Sequence, residues 1–457
     1  MDFPYPFFPL QFDKNGKVFA PAEVEALMAG LTAPAGKPTD LLVMCHGWNN
    51  NMDDAKTLYS GLAKQIAAQV GTLPALAGRS FAIAGVLWPS KKFEDAELIP
   101  SGAAALDEAV TSEALKERVQ DLRSLYEAAE WPSGGENDKA AVFDQIEALM
   151  DGIEDDPAQQ AKAASLVRSV VSPESASADD ASDRFFEMKP SALVDKLSRS
   201  LNPPVATAQG SALSVDPFST GTTSGLGGAA SFRDVLGGIK SGFLHLLNFT
   251  TYYLMKARAG EVGAKGVEPL LEKIRAARPD LRLHLIGHSF GCRLASSAVN
   301  ALPEKPELYP DTLLLLQGAF SHNGFAALGV DVPEGVFRSV VAKGKVRGPI
   351  LITHTRNDKA VGLAYPIASR LSGVKAAAIG DENDVFGGLG SNGAQTGDTT
   401  KERVVGTLLA VGGAYPFATP SKPSTPYNLR ADAFIGGHSD IVKPEVGYAQ
   451  AVAMAAK

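Results

Sequence analysis

Ser289 stands in Gly287-His288-Ser289-Phe290-Gly291, a G-x-S-x-G spacing. The apolar run Leu281–Ile286 before it reads as a buried strand, and Cys292–Leu302 after it reads as a helix. Strand, tight turn, helix is the setting in which such a serine becomes a nucleophile. Small flanking residues let backbone pass close by, so Oγ projects beyond the sheet edge. The N-terminus of the following helix then favours negative charge developing there.

A serine hydroxyl needs a base, and the chain has seven histidines. His438 lies in Ile435-Gly436-Gly437-His438-Ser439-Asp440, a glycine-rich loop just before a final helix, Glu445–Ala455. That is where the base falls when the chain order is serine, acid, histidine. His322 is the rival, but it precedes any plausible acid. For the orienting carboxylate, Asp358 follows the apolar strand Pro349–Thr353 and so lies at a strand end. A buried carboxylate there would fix the imidazole tautomer and stabilise the imidazolium. Asp381 and Asp384 are the alternatives. Acyl transfer also needs two N–H donors for the oxyanion. The residue after the nucleophile, Phe290, supplies one. Trp48 supplies the other, in His46-Gly47-Trp48-Asn49-Asn50 after the strand Leu41–Met44.

These residues have to be brought to one edge of a sheet. A continuous apolar run at Leu41–Met44 fits a strand buried on both faces, Phe81–Leu87 reads as a second buried strand, and Leu281–Ile286, Thr312–Leu316 and Pro349–Thr353 each read as a short apolar strand. Helical stretches between them, including 262–277 and 360–371, argue for a mostly parallel sheet with helices on both faces. Leu10–Phe12 and Val18-Phe19 around Asn15-Gly16 read as a hairpin. The middle of the chain is different. It shows helical periodicity near 106–126, 139–150, 158–171 and 191–201, and no strand signal. A Gly/Ser/Thr-rich stretch follows at 202–231. Between Lys91 and Ser231 there are 25 acidic and 12 basic residues, which leaves the remainder net positive. The expected organisation is a core of residues 1–95 and 232–457 split by a large, mainly helical insertion, 96–231. Phe232, Val235, Leu236, Ile239, Phe243, Leu246 and Leu247 form one apolar helical stripe. It either packs as core or lines an acyl pocket.

Taken together, the motifs resemble the α/β-hydrolase superfamily, and more narrowly an uncharacterised bacterial family of that fold. Its members carry an H-G-Y-N-N-like strand end, a downstream W-P-S and an H-S-M-G serine turn. The matches here are His46-Gly47-Trp48-Asn49-Asn50, Trp88-Pro89-Ser90 and His288-Ser289-Phe290-Gly291, with Trp for Tyr and Phe for Met. The resemblance covers about residues 38–92 and 249–457 and leaves out the insertion. It implies Ser289 as nucleophile, His438 as base and Asp358 as its orienter, and it implies a hydrolase without naming a substrate.

Composition narrows the rest. With 45% hydrophobic and 21% charged residues the 457-residue chain is of ordinary globular type. A net charge of −8 with no Lys/Arg block argues against nucleic acid and anionic membranes. Two cysteines, Cys45 and Cys292, make no disulfide framework and suit a reducing compartment. There is no zinc-ligand spacing, no phosphate loop, no secretory signal and no long apolar span. The expectation is a cofactor-free, metal-free cytoplasmic serine hydrolase, with no stable membrane insertion, acting on a small-molecule carboxylic ester through an acyl-enzyme. A peptidase or amidase on the same triad, and a catalytically silent hydrolase fold used as a binding scaffold, are the alternatives.

Overall fold

The computed structural model describes residues 2–48, 50–90, 110–127, 139–199, 238–329, 334–358, 386–396, 402–418 and 422–456. Among them one sheet of eight strands forms: β1 (Phe7–Gln11), β2 (Asp40–Cys45), β3 (Phe81–Leu87), β4 (Arg282–His288), β5 (Thr312–Leu316), β6 (Ile350–His354), β7 (Val404–Thr407) and β8 (Pro426–Arg430). Their order is β1-β3-β2-β4-β5-β6-β8-β7, and every pairing is parallel. The helices are α1 (Pro21–Thr32), α2 (Met52–Val70), α3 (Ser112–Glu127), α4 (Ala140–Leu149), α5 (Pro157–Ser169), α6 (Ser182–Glu187), α7 (Pro190–Leu197), α8 (Ile239–Glu261), α9 (Glu268–Ala277), α10 (Phe290–Ala301), α11 (Arg338–Ala342), α12 (Leu389–Asn392) and α13 (Pro444–Ala455).

Alternation along the central strands separates two cores. Val43, Leu285, Leu313 and Ile350 stand side by side in register and face the first core. Met44, Ile286, Leu314 and Leu351 are the next row and face the second, under α2 and α13. Because both faces are covered, β2 and β5 are apolar apart from the Asp40 and Thr312 that open them, while Arg282 and His284 interrupt β4. Among the described residues the helices between β3 and β4 have no separate core. Leu115, Val119, Phe143, Val167 and Leu193 are contiguous with the first sheet core. Buried charges tie this segment down. Lys256 reaches Asp180, with Ser177 and Ser182 Oγ each at 3.0 Å. Arg258 donates to the carbonyls of Pro89 and Leu125 at 2.9 and 3.1 Å.

Several expectations change. The N-terminal hairpin shrinks to a single antiparallel bridge, Phe12 to Val18, because the chain before it joins the sheet as β1 beside β3. Residues 262–277 are no separate helix: α8 runs through a π-helical segment, Val262–Val267, straight into α9. Phe243, Leu246 and Leu247 are buried in the first core, so the stripe packs as core. The start of that stripe at 232–236, the loop at 202–231 and the helix expected at 360–371 lie outside the described residues.

Candidate active site

The chain passes from β2 outward to β3, then returns across the sheet to β4 on the other side of β2. Such a reversal leaves a crevice at the strand C-termini, where α/β sheets bind ligands. The loops after β2 and β4 meet there. Ser289 sits between β4 and α10 with φ 55° and ψ −123°, a strained backbone for a residue with a side chain. Neighbouring contacts explain the glycines. A Cβ on Gly291 would lie 2.0 Å from the Cys45 carbonyl oxygen, and one on Gly47 would lie 2.5 Å from Ser289 Cβ. No side chain fits at either place. Ser289 N–H donates to Leu316 O at 3.0 Å, and the N–H groups of Cys292 and Ala319 donate to Ser289 O at 3.0 and 3.1 Å, which holds the turn from three sides.

His438 bridges the other two residues singled out in sequence. Its Nε2 is 2.8 Å from Ser289 Oγ and its Nδ1 is 2.9 Å from Asp358 Oδ2. Asp358 has 2% exposure, while the His438 side chain has 19%, so the carboxylate is dry and the imidazole reachable. The two loops are stitched together. Asp432 Oδ1 accepts from Thr355 Oγ1 and Arg356 N at 2.9 and 3.0 Å, and Asn357 Nδ2 donates to Ile435 O at 2.9 Å. His322, the rival base, is buried against Gly387 and Asn392. Asp381 and Asp384 lie outside the described residues.

Trp48 directly follows Gly47, and its ring meets that of Phe290 edge-on, centroids 6.0 Å apart. Gly47, just before Trp48, packs against Ser289, and Phe290 follows Ser289 in the chain, so both residues read as oxyanion donors lie near the serine. Phe290 opens α10, and among the described residues no backbone carbonyl takes its N–H. The loop bearing Trp48 is braced by the second motif. Trp88 N–H donates to His46 Nε2 at 3.3 Å and Trp88 Nε1 donates to His46 O at 3.0 Å. That leaves the proton of His46 on Nδ1, 2.8 Å from Gly47 O. Ser90 Oγ donates to Asn50 O at 3.0 Å. Burial pushes His46 down to about 4, so it is a neutral brace at neutral pH.

One residue of the site was not anticipated. Gln317 is wholly buried and sits at φ 48° just after β5. Its Nε2 donates to Asp358 Oδ2 at 3.2 Å and to Gly390 O at 3.1 Å, while Thr353 Oγ1 donates to its Oε1 at 3.0 Å. It holds the oxygen that receives His438. A polar residue directly after four leucines was the available signal.

Among the described residues no group of three His, Cys, Asp or Glu could hold a metal ion, and no helix is long and apolar enough to cross a membrane. Compared with family models, curated proteins and solved structures, the chain matches none.

Proposed function

We propose that the chain is a serine hydrolase of the α/β-hydrolase type, with the helices of residues 96–231 as its cap, cleaving a carboxylic ester without a cofactor. The observation that carries this reading is the line Ser289 Oγ, His438, Asp358, with hydrogen bonds of 2.8 and 2.9 Å, on a strained serine at a helix N-terminus. Ser289 Oγ attacks the ester carbonyl while His438 Nε2 takes its proton. The N–H groups of Phe290 and Trp48 receive the oxyanion. His438 then protonates the departing alcohol, leaving an acyl-Ser289. Water, deprotonated by the same imidazole, releases the acid. Asp358 stays ionised throughout and stabilises the imidazolium.

A fluorophosphonate probe should label Ser289 covalently, and a panel of p-nitrophenyl esters should turn over faster than aminoacyl anilides. Labelling with anilides as the better substrates would make the chain a peptidase or amidase. No labelling and no turnover would leave a binding scaffold.

A further inference from the structure

His288, the residue before the nucleophile, ends β4 and is 6% exposed. Its Nε2 is 3.0 Å from the backbone carbonyl oxygen of His438, and the two rings lie 5.0 Å apart. A carbonyl only accepts, so the proton of His288 is on Nε2 and Nδ1 carries a bare lone pair. That Nδ1 is buried and has no hydrogen-bond partner among the described residues. Among them, the His288 contact is also the only hydrogen bond to the His438 backbone. The loop is closed on either side of His438 by Gly436 N–H to Asp440 Oδ2 at 3.0 Å and Asp440 N–H to Gly437 O at 3.2 Å, and neither bond reaches His438 itself. A Cβ on Gly437 would meet nothing within 4 Å, and one on Gly436 only the Asp440 carboxylate.

We propose that His288 is a positioning residue: its Nε2–H holds the His438 backbone so that the imidazole stays between Ser289 and Asp358. The role rests on the serine-hydrolase reading. An imidazole suits it because it donates in one direction without charge. Burial, helped by His438 alongside, pushes His288 down to about 3. The titratable groups around it are His438, Asp358 and His46. When His438 takes the proton of Ser289, a charged neighbour 5.0 Å away would oppose it, and a neutral donor does not.

The test compares His288→Phe, which keeps bulk and loses the donor, with His288→Gln, whose amide can donate. Wild-type protein is first labelled with fluorophosphonate and assayed on p-nitrophenyl acetate. His288→Phe should lower kcat by about 10²-fold with KM within about twofold, the effect of a catalytic group displaced by about an ångström. His288→Gln should recover most of the loss. Equal losses in both variants, or none in His288→Phe, overturn the role. Should His288→Phe not fold, ¹⁵N spectra of wild-type imidazoles decide. His288 should show the Nε2–H tautomer and not titrate between about pH 5 and about pH 8, the range where an ordinary histidine does. The Nδ1–H tautomer, or titration there, overturns it. Wild-type protein that takes no label at Ser289 overturns the hydrolase reading and the role with it. A labelled wild type with an indifferent His288→Phe overturns the role alone.

Discussion

At the C-terminal end of the sheet His438 lies between a hydroxyl and a carboxylate. At the N-terminal end His284 does the same, with Thr312 Oγ1 2.9 Å from Nδ1 and Asp40 Oδ1 2.8 Å from Nε2. The bond lengths of the two relays are nearly identical. Their surroundings are not. The His438 side chain has 19% exposure and that of His284 none. Ser289 is strained at a helix N-terminus, whereas Thr312 opens an ordinary strand, where its Oγ1 also accepts from Gln450 Nε2 at 3.1 Å. Asp358 is held by the neutral amide of Gln317, and Asp40 by the guanidinium of Arg79, 2.9 Å from Nε to Oδ2. Three side chains in a row are thus no active site by themselves. Under the proposed reading the partly exposed relay offers its carboxylate to an imidazolium. The buried one cancels its charge with Arg79 and pins the starts of β2, β4 and β5 together.

The comparison is broken most directly at the hydroxyls. Ser289→Ala should remove fluorophosphonate labelling and lower kcat by about 10³-fold or more. Thr312→Val should leave kcat within about twofold. Turnover that disappears with Thr312 and survives without Ser289 would exchange the two assignments.

Next come the carboxylates. Asp358→Asn should keep the fold and lose about 10³-fold to about 10⁴-fold in kcat, because the imidazolium loses its counter-charge. Asp40→Asn should do the reverse. It leaves the Arg79 guanidinium buried without its charge partner, a loss of about 3–5 kcal/mol in urea unfolding, while the folded fraction keeps its kcat. If Asp381→Asn or Asp384→Asn costs activity in place of Asp358→Asn, the acid is misassigned. A smaller effect is expected at Gln317, where Gln317→Leu removes a hydrogen bond to a charged group and should cost about tenfold in kcat.

What the sequence made legible follows from burial. Phe81–Leu87 and Thr312–Leu316 were bounded correctly because a sheet covered on both faces admits only apolar side chains there. Ser289 was legible because it directly follows β4 in a glycine-flanked turn, Asp358 because it lies in the polar turn after β6, and His438 because it lies in the glycine-containing loop before α13. β7 and β8 were not. β7 is a short edge strand of alternating exposure, and β8 reads Pro-Tyr-Asn-Leu-Arg. Its Asn428 is buried because its amide replaces a backbone partner, giving and receiving 2.9 Å bonds with Ala394. Gln317 and the Arg79, Asp40, His284 and Thr312 cluster share that difficulty. Gln317 closes an apolar run, Asp40 and Thr312 open one, Arg79 lies just before another, and His284 interrupts one, so each looks locally like a polar break. Only contacts across 28 to 244 positions give each a buried partner, and hydrophobic periodicity carries no such information.

A pH effect separates the two ends of the sheet without any change in turnover. His46 and His288, at the site end, are pushed by burial down to about 4 and about 3, from about 6.5 when unfolded. Between those values the unfolded chain binds protons that the folded chain refuses, so stability falls as the pH falls. The contribution is complete above about pH 6.5 and shrinks progressively below it, on the order of 2 kcal/mol per histidine by about pH 5. At the other end, burial raises Asp40, but hydrogen bonds from His284 and Arg79 outweigh it and hold the carboxyl well below the usual range. Its contribution is present above about pH 4 and is lost only as the pH falls further. Urea midpoints of wild-type protein should therefore decline already between about pH 6.5 and about pH 5. Asp40→Asn should show the same decline from a lower starting point and flatten relative to wild type only below about pH 4. His288→Gln should flatten the upper window and leave the lower one. A wild-type midpoint constant from pH 6.5 to pH 5 would mean that these site histidines bind protons in the folded state, and the neutral frame drawn around His438 would fail with them.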